Sequence, residues 1–235
     1  MLALRFPCTI AFVKPFELLG QTNSPDGAEM KLVRRGDEYV IVVDGAVLMS
    51  SRMHGSEEAL ATLGCRRARA ARRPSVLIGG LGMGFTLRAA LDLLPADATV
   101  LVAELVPAVV EWNYGPLGPL AKHPLKDKRV RVETEDVTVT LRARPGRFDL
   151  VLLDVDNGPD ALTDASNSGL YDSRGIAAAY ASLKKAGVLA VWAAKEDRKF
   201  ERRLRDGGFE VEPQRARGRL AKGGPRHTIL LARKI

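Results

Sequence analysis

The chain has 235 residues, 46% hydrophobic and 6% aromatic, with a formal charge of +8. This length supports one large domain, or one of ordinary size with a small appendage. No apolar run approaches the ~20 residues needed to span a bilayer, so no membrane partner is expected. MLALRFPCTIAFVKP places Arg5 and Pro7 where an export signal needs an unbroken apolar core, so no such signal is expected. The only cysteines, Cys8 and Cys65, are isolated, and the three histidines (His54, His123, His227) are scattered. Neither set has the spacing of a metal site or a disulfide framework; the expectation is a reducing, cytoplasmic setting and no metal.

Arginine clusters stand at Arg66 to Arg73, at Arg202 to Arg205 and at Arg215 to Arg219. A basic surface attracts nucleic acid or small anions. No aromatic residues interleave with these clusters to stack bases, so solvation of helices by arginine is the favoured reading and nucleic acid the disfavoured one.

In chain order, residues 1 to 65 read as a small β-rich domain. GAEMKLVRR and EYVIVVDG form two strands around the Gly36-Asp37 turn. SEEALATL begins a helix that Ser56 can cap, with Glu57 and Glu58 suiting its positive end, and Pro74 ends the segment. From 66 to 235 strands and helices alternate as a Rossmann-like domain. SVLIGG is a strand and TLRAALDLL a helix; ATVLVAEL is a strand, and PAVVEWNY a helix with proline in its first turn. RVRVETED, RFDLVLLDVD and VLAVWAA are strands; VTVTLRAR, SRGIAAAYASLKKAG (ending at Gly187) and DRKFERRLRDGG are helices. FEVEPQ and HTILLARK close the chain as a hairpin around a long flexible loop, RARGRLAKGGPR. Apolar strands separated by amphipathic helices predict a doubly wound, mostly parallel α/β sheet with an antiparallel C-terminal hairpin.

In such a sheet, ligands sit at the carboxyl ends of the strands. The first strand-to-helix turn is Gly80-Leu81-Gly82-Met83-Gly84, and Phe85 stands where a dinucleotide fingerprint needs its third glycine. G-x-G-x-G is instead the spacing of class I S-adenosylmethionine-dependent transferases; a turn that only packs a helix on a strand is the alternative. Three acids follow at strand ends. Glu104 is placed to accept both ribose hydroxyls. Asp136 suits either the adenine amino group or the cap of the next helix. Asp154, after the four apolar residues Leu150 to Leu153, stands where the transferred group would react.

These segments resemble the spermidine synthase-like branch of that superfamily. VLIGGLGMG resembles its glycine motif, VLVAELVPAVVEW its ribose-binding motif with Glu104, and FDLVLLDVDNGP the strand and loop of its catalytic aspartate, here Asp154. GIAAAYASLKKAGVLAVWA resembles the helix and strand that follow, and VIVVDGAVLMSSRMHGSEEAL the small β-domain and its entry to the core. The resemblance implies a Rossmann-like core behind a short β-domain, a dimer, and alkyl transfer from a sulfonium donor.

The departures lie in the polyamine half of the site. Met83 stands where the family carries an aspartate that holds the amine of decarboxylated S-adenosylmethionine. Asn157 replaces a second loop acid, with Asp156 in a different register, and Leu48 replaces a glutamine. Asp156, Asn157 and Tyr171 are the expected walls of the acceptor pocket, with Trp192 either there or in the core. The expected activity is transfer of an alkyl group, methyl first, from S-adenosylmethionine or a related nucleoside to a small acceptor. Aminopropyl transfer in polyamine biosynthesis is the alternative. A nucleoside-binding protein without catalysis and a nucleic-acid methyltransferase complete the readings.

Overall fold

A computed structural model describes residues 15–155, 168–219 and 224–235. An N-terminal antiparallel meander is built from β1 (Glu17–Asn23), β2 (Glu29–Arg35), β3 (Glu38–Val43) and β4 (Ala46–Ser50), in that order. The β3–β4 connection is Asp44-Gly45, both with positive φ (46° and 80°), the backbone that a tight two-residue hairpin requires. Asp44 Oδ1 accepts from Glu29 N at 2.8 Å, so this Asp-Gly pair also braces its own sheet. The outer strands β1 and β4 are additions to the two strands legible in the sequence.

Helix α1 (Gly55–Ala68) follows, then β5 (Ser75–Gly79), α2 (Phe85–Leu93), β6 (Thr99–Ala103), α3 (Pro107–Tyr114), β7 (Val130–Glu133), α4 (Val137–Ala143) and β8 (Phe148–Leu153). After the segment 156–167 come α5 (Ser168–Tyr171), α6 (Ser173–Ser182), β9 (Leu183–Ala193), α7 (Arg198–Asp206), β10 (Phe209–Arg217) and β11 (Arg226–Lys234). The seven-stranded sheet has the order β10-β11-β9-β8-β5-β6-β7. Strands β5 to β9 pair in parallel; β11 pairs antiparallel with β9 and β10. This is the expected doubly wound sheet with its closing hairpin.

Strand alternation divides the core. In β8, Leu150 and Leu152 pack on one face with Leu60 and Ala61 of α1 and Leu87 of α2. Val151 and Leu153 pack on the other with Leu141 of α4, Ile176 of α6 and Phe200 of α7. Both faces being covered explains why the strands read as continuous apolar runs. A Cβ on Gly64 would stand 2.5 Å from Leu152, so this glycine lets α1 lie close on β8.

Three local expectations are corrected. Helix α1 begins at Gly55 with His54 at its N-cap and no side-chain cap bond; the Ser56 hydroxyl bonds the Glu57 carboxylate at 2.6 Å instead. Helix α6 ends at Ser182, and Leu183 to Gly187 belong to β9, because Phe148 pairs with Leu183 before the register shifts. The basic segment at the closing hairpin is shorter than expected: Arg215 and Arg217 lie in β10 and Arg226 in β11, held by pairs such as Arg217 with Arg226. Pro213 is tolerated because β10 is an edge strand. Among the described residues, no helix is long and apolar enough to cross a membrane.

Candidate active site

The glycine turn leaves the carboxyl end of β5. Gly80, Gly82 and Gly84 all have positive φ (86°, 51° and 83°), which side-chain-bearing residues rarely adopt. Gly80 is needed for space as well: a Cβ there would lie 2.3 Å from the Asp154 carbonyl oxygen. At Gly84 it would lie 2.9 Å from Asn113 Oδ1 and 3.1 Å from Pro124. At Gly82 it meets only the flexible end of Met49, a β4 side chain whose sulfur would be 3.1 Å away.

Neighbouring elements fix the turn. Gly80 N donates to Ala103 O of β6 at 2.9 Å. Asn113 of α3, 1% exposed, donates through Nδ2 to Gly82 O at 2.8 Å and to Val109 O at 2.9 Å. Glu104, 8% exposed, accepts from Leu81 N at 2.8 Å through Oε2 and from Val106 N at 2.9 Å through Oε1. These two backbone amides fix the direction of the carboxylate beside the turn.

Asp154 follows β8, and its backbone N donates to Gly79 O at 2.9 Å. It follows Leu150 and Leu152 by the strand period of two, which directs it to the face covered by α1 and α2. There Thr86, in the first turn of α2, donates from Oγ1 to Asp154 Oδ2 at 2.5 Å. Thr86 Oγ1 is also 3.4 Å from the Glu57 carbonyl oxygen, so the single hydroxyl proton goes to the nearer and charged acceptor. Glu57, in the first turn of α1, is 8% exposed. Burial, and then the negative charge of Asp154, push its carboxyl up to about 7.

The remaining sequence-derived residues fall as follows. Asp136 caps α4, its Oδ1 accepting from Thr138 N at 2.7 Å, so the cap role is realised. Tyr171 lies in the core with Phe200, ring centroids 5.3 Å apart and edge to face. Asp156 and Asn157 lie outside the described residues. Trp192 packs partly buried beside His227, ring centroids 4.8 Å apart, and its buried Nε1 has no hydrogen-bond partner among the described residues. Met83 is 1% exposed and packed in the hydrophobic core, so its thioether is a core group, and Met49 is the methionine beside the turn.

Glu57, Thr86, Met49 and Asn113 are site residues that sequence reasoning missed. Thr86 had a legible signal, as a polar residue two positions past the last glycine of the turn. The other three reach the site from separate elements. Two surface hollows, one at Glu196 to Lys199 and one between α6 and α7 at Ser173, Ile176 and Arg203, include none of these residues.

No protein-family model matches the chain, and no curated protein sequence does. Solved structures do resemble it. One is a spermidine synthase in complex with the transition state analogue AdoDATO (TM-score 0.70, 19% identity, 93% of this chain and 72% of that one). Another is spermidine synthase from Thermotoga maritima (TM-score 0.71, 19% identity, 93% of this chain and 73% of that one). A small antiparallel sheet, a parallel sheet and a closing antiparallel hairpin, matched over nearly the whole chain, give this protein the spermidine synthase fold.

Proposed function

We propose that the chain is a transferase that binds S-adenosylmethionine or a related nucleoside and moves an alkyl group, methyl first, to a small acceptor. The observation that carries this reading is the buried Glu104 carboxylate, fixed by two backbone amides beside a turn of three left-handed glycines. That pairing suits a nucleoside: an acid for ribose hydroxyls, and a backbone bare enough for close approach. In a solved protein of this fold, the occupant is the transition state analogue AdoDATO, which supports a site for a nucleoside donor here.

Transfer from a sulfonium releases a neutral thioether, so the leaving group needs no acid. The site must align acceptor and donor carbon and take the acceptor's proton. Asp154 is assigned the second task, with Thr86 holding one of its oxygens. The glycine turn offers backbone groups and the Met49 thioether to the donor's tail. It has no carboxylate to pair with a free amine, which favours the intact, carboxylate-bearing donor. Aminopropyl transfer is the second reading, favoured by the likeness to spermidine synthases. A homodimer is part of both readings. So are Asp136 toward adenine, and Asp156, Asn157 and Tyr171 toward the acceptor.

Calorimetric binding of S-adenosylmethionine and its decarboxylated form, side by side, tests both. Tighter binding of the intact donor supports methyl transfer, tighter binding of the decarboxylated donor replaces it with aminopropyl transfer, and binding of neither overturns both. Asp154→Asn is expected to keep donor affinity and lose turnover.

A further inference from the structure

Asn113 reaches the glycine turn from the last turn of α3. That helix is held in the core by Val109 and by Trp112, which packs against Gly20 of β1. Both hydrogens of the Asn113 amide go to carbonyls, Gly82 O at 2.8 Å and Val109 O at 2.9 Å. These two acceptors fix which way the amide faces. They leave Asn113 Oδ1 buried without a hydrogen-bond partner among the described residues. A buried acceptor left unpaired is destabilising, and an apolar side chain of the same shape has no such atom. What only the amide supplies is the hold on Gly82 O.

That hold sets the direction of one peptide in the turn. The Gly82 carbonyl points to α3, where Asn113, Leu117 and Ala121 are all buried and a ligand has no room. The reachable side of Gly82 is the other one. Gly82 is partly exposed, and a Cβ there would meet only the end of the Met49 side chain. A glycine tolerates backbone angles that other residues do not, so the Gly82–Met83 peptide can turn over at little steric cost. Turned over, it would put its carbonyl oxygen on the reachable side, because carbonyl and N–H point in opposite directions across a trans peptide. The Asn113 amide is the group that keeps it from doing so.

We propose that Asn113 is a positioning residue that selects the donor by its tail: it holds the Gly82 carbonyl away from the tail, so that the turn tolerates a carboxylate there. This rests on the transferase reading above. S-adenosylmethionine and its decarboxylated form differ by that one carboxylate, and both carry the amine. A carbonyl oxygen is an acceptor and bears partial negative charge. Facing the tail, it would repel a carboxylate and accept from an ammonium; facing α3, it does neither. Selection of this kind works by keeping a repulsive group off the favoured ligand.

The test is calorimetric affinity for S-adenosylmethionine, its decarboxylated form and 5′-methylthioadenosine, a probe with no tail. Asn113→Leu keeps the shape of the side chain and removes the hold on Gly82 O. It is expected to weaken S-adenosylmethionine about tenfold or more, with the other two probes within about threefold of wild type. General damage to the turn would weaken all three alike, and that result overturns the proposal. An S-adenosylmethionine affinity that does not move overturns it too. Should thermal unfolding show that Asn113→Leu does not fold, Asn113→Ala, with its higher helix propensity, carries the same expectations. Binding of no probe to the wild-type protein overturns the transferase reading and this inference together. Wild-type binding with an unmoved ratio between the two donors overturns this inference alone.

Discussion

The hydroxyl of Thr86 holds the carboxylate of Asp154 at 2.5 Å, across two elements that the sequence separates widely. This bond fixes one oxygen of the proposed acceptor base on the face covered by α1 and α2. Thr86→Val keeps the shape and removes the donor. A buried acceptor that loses its hydrogen bond costs about 1–3 kcal/mol. The expected result is a loss of turnover with donor affinity within twofold of wild type, measured by calorimetry and initial rates.

Glu104 braces the glycine turn and is the proposed acceptor for the donor's ribose hydroxyls. Glu104→Ala removes the acceptor of both Leu81 N and Val106 N, so donor affinity should fall at least tenfold. Glu104→Gln keeps only one accepting oxygen and should fall between the two. Unchanged calorimetric affinity in Glu104→Ala would sink the ribose assignment.

The three glycines of the turn are not equivalent. Gly80→Ala drives a methyl into the Asp154 carbonyl, a backbone atom that cannot rotate away, and adds left-handed strain of roughly 1–2 kcal/mol. Gly82→Ala meets only the end of the Met49 side chain, which can move. Thermal unfolding should therefore show a much larger loss for Gly80→Ala than for Gly82→Ala.

Glu57 also links stability to pH. Its folded carboxyl, raised to about 7 from the ordinary 4.5, binds its proton more tightly than in the unfolded chain. Its contribution to stability is therefore full below about pH 4.5 and is lost as pH rises through about 7. Glu57→Gln removes the charge that burial disfavours while leaving an oxygen for Ser56. The variant is expected to gain melting temperature relative to wild type at pH 8 and to show little gain at pH 5.

Asp127 works in the opposite direction. The Arg129 guanidinium bonds it through Nε at 3.0 Å and Nη2 at 2.7 Å, which holds the Asp127 carboxyl down to about 2. Its contribution is present above the ordinary 3.8 and lost as pH falls through about 2. Arg129 Nη1 also donates to Leu94 O at 2.9 Å, tying the end of α2 to the approach to β7. Arg129→Ala should lower stability at pH 7 by about 1–3 kcal/mol, and by less at pH 2.

Most of the fold was legible because the strands of the large sheet carry a local signal. VLIGG, VLVAE and FDLVLLD are apolar runs of strand length, each followed by a turn and a helical pattern. β1 was illegible because ELLGQTN has no clean alternation; its Gly20 gains meaning only where the indole of Trp112 lies against it. The end of α6 was misplaced because LKKAG continues an acceptable helical pattern. Pairing of Leu183 with Phe148 overrode that preference.

In the candidate site, the sequence by itself determined what lies at the end of a strand or in the turn after it. The three glycines, Glu104, Asp136 and Asp154 are all placed by local chain direction, since a strand's carboxyl end and the turn that follows are adjacent in sequence. The tertiary structure alone decided what arrives from elsewhere. It turned Met83 into the core and laid Met49 on the glycine turn. It set Asn113 against Gly82, and it buried Glu57 near Asp154. Such placements depend on how close two helices lie on a sheet, as at Gly64 beneath Leu152, and on which carboxylate loses its water. Neither is written in the spacing of residues along the chain, because burial and charge coupling are properties of the packed whole.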